Sequence, residues 1–172
     1  MWWQRLGDLL RFRLPQSDLA FVQSYLNEAG LFLFNQMSVV DQKHSVRVAR
    51  YIIQEAVERR GINLNCVIQA ALLHDAGKVK GDIKRYNRVC VGIIRRLCPC
   101  KRHKWSSRDK QSALRYSLYV DMIHPTRGAY MAESMGIDSR VVSLIKNHHE
   151  QKPEVVAGDG ELSLLQLADA KN

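Results

Sequence analysis

His74-Asp75-Ala76-Gly77-Lys78 is the stretch on which the reading of this chain turns. It follows the apolar run Val67-Ile68-Gln69-Ala70-Ala71-Leu72-Leu73, so a histidine, a carboxylate and a lysine stand where that run meets a glycine. The run predicts a helix over 65–76, buried all round and stopped at Gly77. Side chains at the end of such a helix are held rigidly and still face open space. Outward from this pair, other histidines sit in comparable places: His124-Pro125-Thr126-Arg127-Gly128, then Asn147-His148-His149-Glu150. His44 lies on a long amphipathic helix expected over 38–60, and Asp169 lies in Leu167-Ala168-Asp169-Ala170 near the end of the chain. Of the six histidines only His103, in a basic stretch, joins no such group.

Neutral imidazole and carboxylate are the ligands that hold Mn, Fe, Zn or Mg in hydrolytic sites. Two ions about 3.5–4 Å apart clamp a phosphate and lower the pKa of a water between them. Each takes about three to four protein ligands and keeps positions open. His44, His74, Asp75 and Asp169 would serve one ion, and His124, His148 and His149 the second, with Asp75 shared. Plainer explanations exist residue by residue. His44 would pack in a core, His74-Asp75 would cap a helix C-terminus, His124 would cap a helix opened by Pro125, and Asp169 would be a surface acid. Neighbours on a helix point about 100° apart, so His148 and His149 reach one ion only where a helix ends.

At these residues the chain resembles the HD superfamily of metal-dependent phosphohydrolases, whose signature is a His, a His-Asp pair and a distal Asp: here His44, His74-Asp75 and Asp169. The added His124 to Gly128 pattern and His148-His149-Glu150 look like the HD-GYP branch, which hydrolyses cyclic dinucleotides. The resemblance spans about residues 38–171. It implies that Lys78, at the family's lysine position, binds substrate phosphate or the carboxylate network that activates water. There is one departure. Where the HD-GYP branch continues into Asp-Gly-x-Gly-Tyr-Pro, this chain reads Gln151-Lys152-Pro153-Glu154-Val155-Val156-Ala157-Gly158-Asp159-Gly160. The metal set is kept and the loop that shapes a dinucleotide pocket is not, which weakens cyclic di-GMP as a substrate. Around the ligands, Glu150 is expected to orient a histidine, Arg127 to reach toward a phosphate, and Asp41, one turn before His44, to cap its helix or stand behind the ligands.

At 172 residues, 46% hydrophobic and 25% charged, the chain has the composition of one soluble globular domain. No apolar run approaches the ~18–20 residues of a membrane-spanning helix. Arg5, Asp8, Arg11 and Arg13 interrupt the N-terminal apolar residues, which argues against a signal peptide and for a cytoplasmic protein. The net charge of +9 is local: residues 80–110 hold eleven Lys/Arg against two Asp, 11 − 2 = +9, and the remainder balances. Such a segment suits contact with a polyanion or an anionic membrane surface, and equally a solvated helix face. Cys98-Pro99-Cys100 with His103 invites a zinc reading, but the second ligand pair of a structural zinc site is missing. Cys66 and Cys90 read as core residues.

Periodicity is helical nearly throughout. Ser38 is placed to cap the 38–60 helix, with Val46, Ala49 and Ile53 on its apolar stripe, and Gly61 to end it. A third helix is expected over 82–97, basic on one face and apolar on the other, then an irregular stretch over 98–110. Pro125 reads as the first turn of a helix to about residue 135, with Gly136 closing it and Asp138 capping the next. Trp2, Trp3, Leu6, Leu9, Leu10 and Phe12 would form an amphipathic helix that docks on the domain or lies at a membrane surface. The reading is therefore an all-α HD-domain helical bundle, with a helical segment at 1–36 packing on or flanking a catalytic domain at 37–172. The expected activity is a phosphomonoesterase or phosphodiesterase with a dinuclear centre of divalent transition metal, Fe or Mn ahead of Zn, Mg or Ni. Asp75 and Lys78 are its catalytic residues. The expected substrate is a nucleotide-type phosphoester: a nucleoside monophosphate, a cyclic dinucleotide or a dinucleoside polyphosphate. The alternative is a non-catalytic HD module that binds a nucleotide or a macromolecule in signalling. Sequence leaves the oligomeric state open.

Overall fold

The structure is a computed structural model, in which residues 13–56, 61–150 and 160–172 are described. The amphipathic segment read at 2–12, the end of the 38–60 helix and the 151–159 loop lie outside the described residues. Within them the architecture is all-α: α1 (Gln16–Tyr25), α2 (Glu28–Gln36), α3 (Val39–Glu55), α4 (Leu64–Leu73), α5 (Arg85–Leu97), α6 (Pro99–Trp105), α7 (Ala113–Ser134), α8 (Ser139–Asn147) and α9 (Gly160–Lys171). One β-bridge joins Met37 to Val79. No helix among the described residues is long and apolar enough to cross a membrane.

Short polar residues start these helices as their chemistry dictates. The side chains of Asn27, Ser38, Asn63 and Asp138 accept from the backbone N–H groups of Gly30, Asp41, Cys66 and Arg140, satisfying donors that have no partner inside the helix. Gly136, at φ 72°, makes the left-handed turn between α7 and α8.

The core forms around α4. Its Val67, Ile68, Ala70, Ala71, Leu72 and Leu73 are buried, and α3, α8 and α9 pack on it with Val46, Ala49, Ile52, Ile145, Leu164 and Leu165. Each large side chain among these contributes about 1.5–3 kcal/mol of transfer free energy. α1 and α2 add Val22, Leu33 and Phe34 to the same core. α5, α6 and α7 contact one another and form a second, more polar layer.

Three boundaries differ from the sequence reading. The helix expected to start at Pro125 is continuous from Ala113 to Ser134, with Pro125 inside it. Proline costs a helix one backbone bond, here to the carbonyl of Asp121; that carbonyl instead accepts from Arg102 and from the His124 ring. The stretch over 98–110 contains α6, because Pro99 presets the first turn of a helix whose N-cap, Cys98, is also the C-cap of α5. Finally, α4 stops at Leu73 and α5 starts at Arg85, so residues 74–84 form a turn that carries His74, Asp75 and Lys78.

Candidate metal centre

Five segments deliver the residues that sequence singled out. His44 lies in the second turn of α3, His74 is the C-cap of α4 with Asp75 next, and His124 is mid-way along α7. His148 is the C-cap of α8 with His149 following, and Asp169 sits near the end of α9. Three groups of donor atoms result, each within 4.8 Å: His44, His74 and Asp169; His124, His148 and His149; and, between them, His74, Asp75 and His148. His44 Nε2 is 2.9 Å from Asp169 Oδ1. Asp75 Oδ1 lies 3.6 Å from His74 Nε2, 3.3 Å from His124 Nε2 and 2.8 Å from Lys78 Nζ. α8 ends where the doublet begins, so both rings turn to one side, with centroids 4.1 Å apart. His149 is the solvent-exposed member.

The backbone sets the tautomers. His74 Nδ1 donates to the Ala71 carbonyl at 2.8 Å, His148 Nδ1 to Ile145 at 2.7 Å, and His124 Nδ1 to Asp121 at 2.8 Å. A carbonyl only accepts, so each Nδ1 carries the proton, and in the neutral ring the lone pair is then on Nε2. The three acceptors have one origin. Ala71 and Ile145 lie in the last turns of α4 and α8, whose carbonyls have no helical partner, and Pro125 frees Asp121 in the same way.

The His124 and His148 nitrogens converge, and His74 Nε2 faces the Asp75 carboxylate that His124 also meets. His124 Nε2 and His148 Nε2 are 3.2 Å apart with no proton between them. Burial holds both rings neutral: the His124 pKa is pushed well below the usual imidazole range and that of His148 down to about 3. His74 Nε2 is buried without a hydrogen-bond partner. Facing lone pairs and an orphaned nitrogen beside two carboxylates form a donor set that fits a divalent transition metal. Compared with protein-family models, residues 42–171 match the HD domain. The chain belongs to that family. No curated protein and no solved structure matches it. HD domains bind divalent metals and are typically metal-dependent phosphohydrolases.

The pairing of charges in this HD domain follows from burial. Desolvation would raise the Asp75 pKa, but its neighbours, the Lys78 ammonium foremost at 2.8 Å, outweigh it and hold the carboxyl well below the usual range. Burial would likewise discharge Lys78, and Asp75, Asp121 and Asp41 keep it protonated. Desolvation of Asp169 is overcome first of all by the hydrogen bond from His44, so it too stays ionised.

Two glycines of the HD domain make the convergence possible. A Cβ on Gly77 would stand 2.1 Å from the His124 carbonyl oxygen and 2.8 Å from the Gly128 nitrogen. One on Gly128 would stand 3.0 Å from the Gly77 nitrogen. The turn after His74-Asp75 is thus pressed backbone to backbone against α7 at His124. Both glycines stand in the quoted motifs, but spacing alone does not reveal that they touch.

Arg127 is ion-paired with Asp82, which also accepts from Tyr116. Glu150 is exposed, and its backbone carbonyl accepts from Gln166. Asp41 does meet Ser38 at the start of α3, and its carboxylate also grips Arg88 through both guanidinium nitrogens. Sequence did not single out Asp121 or Arg102. Arg102 contacts both the Asp121 carbonyl and its carboxylate, the latter at 2.7 Å, and so braces the residue that orients His124. The only available signal was an acid three positions before a candidate histidine. Among the described residues the ligand-like groups contain no cysteine, and Cys98 and Cys100 are free thiols.

Proposed function

We propose that the chain is a phosphohydrolase with a dinuclear centre. His44, His74, Asp75 and Asp169 hold one ion, and His124, His148 and His149 the other, with Asp75 between them. The observation that carries this reading is the inward convergence of the His124, His148 and His74 Nε2 lone pairs, each fixed by an Nδ1–H bond to a helix carbonyl. Divalent ions bound there supply Lewis acidity for a phosphoryl oxygen and acidify a water.

The chain's own residues do the rest. Lys78 holds the Asp75 carboxylate in place at 2.8 Å and has two further N–H donors for an anionic oxygen. His149, solvent-exposed, marks the mouth. Arg95 is about half exposed and 3.8 Å from the Asp121 carboxylate, so it is the arm that can swing to a second phosphate of a nucleotide-type phosphoester. That favours a nucleotide over a small neutral ester, in line with the cationic 80–110 segment.

The test is metal content after anaerobic reconstitution, together with hydrolysis of a generic phosphomonoester and phosphodiester, for the native chain and Asp75→Ala. The expected result is about two ions per chain and activity that disappears in the variant. A folded native chain that binds no transition metal sinks the reading.

A further inference from the structure

α5 is turned inside out relative to an ordinary amphipathic helix. Its inward face is polar: Asn87 donates to Ser117 at 3.1 Å, Arg88 grips Asp41, and Arg95 faces Asp121, with only Val91 as a fully buried apolar side chain. Its outward face is apolar. Tyr86, Val89, Ile93 and Leu97 recur at three- and four-residue intervals, which places them on one stripe. They are 63%, 52%, 50% and 71% exposed. At about 100° per residue, the exposed Arg85 and Arg96 border this stripe on the Val89 side.

We propose that this face docks on an anionic lipid surface. An apolar stripe bordered by cations, on a helix of 13 residues that can lie flat, is the chemistry of an interfacial helix. The cations complement anionic headgroups, and the excess of exposed cations that residues 80–110 keep beside the ion-paired Arg88 and Arg102 reinforces them. The same charge argues against a second copy of the chain. A two-fold interface through α5 sets that excess against itself. Single-stranded nucleic acid is stacked on aromatic platforms, and this stripe is aliphatic apart from Tyr86.

The experiment is co-sedimentation of the full chain with vesicles of phosphatidylcholine alone and of phosphatidylcholine mixed with phosphatidylglycerol. Binding is expected to the anionic vesicles and to weaken with salt. Ile93→Glu and Leu97→Glu should each weaken it by about ten-fold or more, and Arg96→Glu by about five-fold. Circular dichroism and melting should show these surface variants folded. Because they keep residues 1–12 intact, unchanged vesicle binding by Ile93→Glu and Leu97→Glu overturns the assignment to α5. So does an absence of binding by the native chain. Light scattering that shows a dimer dissociated by the same substitutions assigns the face to a second copy, and RNA binding lost in them assigns it to nucleic acid.

Discussion

α4 has no polar face: from Val67 to Leu73 only Gln69 breaks the apolar run, and its amide donates to the Tyr25 carbonyl. α5, of similar length, carries both a cationic face and an apolar one, and places the cationic face inside. For α4 burial leaves one solution, since any exposed side would leave apolar surface in water. For α5 two solutions compete. The inward choice follows from acids already waiting below it, Asp41 on α3 and Asp121 on α7. A buried carboxylate without a partner costs more than a row of aliphatic side chains left in water. Packing therefore builds the α4 side of the site and ion pairing builds the α5 side, and the two should respond differently to mutation.

The largest effect is expected at the seam between the α4 turn and α7. Gly77→Ala places a methyl 2.1 Å from the His124 carbonyl oxygen, in contact with rigid backbone. Thermal or urea unfolding should show a loss of at least about 3 kcal/mol, or no folded protein. A native-like melting curve would mean that the two backbones are not in contact.

On the α5 side, Arg88→Met leaves Asp41 buried without its partner and should cost about 3–5 kcal/mol in chemical denaturation. Adding Asp41→Leu should restore most of that loss, because removing both charges also removes their desolvation. If the double variant is no more stable than Arg88→Met, packing and not ion pairing holds α5.

Pro125→Ala tests the link between the two sides. The new N–H competes for the Asp121 carbonyl, so His124 is held less firmly and metal affinity should fall about 10-fold. Helix stability should hold or improve. Isothermal titration with Mn or Zn, beside a melting curve, reads the two effects separately. Unchanged affinity would show that the His124 Nδ1 bond does not depend on the proline.

The smallest effect concerns the outer face of α5. Ile93→Glu should change folding stability by no more than about 0.5 kcal/mol, since Ile93 is half exposed and lies outside the core cluster. A larger loss in denaturant titration would mean that the stripe is covered by the chain itself.

Much of this was legible in the sequence because it is local. Ser38 three residues before Asp41, Asn63 before an apolar run and Asp138 after Gly136 each specify a helix start within one turn. The histidines were legible as a candidate ligand set because they recur beside helix ends and one acid, a pattern that ordinary surfaces do not repeat. Pro125 departs from its local rule, first turn or helix break, because that rule omits the remedy found here: Arg102, 19 residues before Asp121, and the His124 ring supply the donors to the Asp121 carbonyl that the proline frees.

Taken alone, the sequence determined an all-helical chain and the types of residue available to a metal, since periodicity, caps and ligand chemistry are properties of neighbouring residues. Only tertiary structure decided which face of α5 turns inward, how closely Gly77 meets Gly128 and which carbonyls fix the histidine tautomers. Those outcomes depend on partners far apart in the chain, such as Arg88 and Asp41, 47 residues apart. Their pairing is chosen by the balance of burial against charge desolvation in the assembled fold.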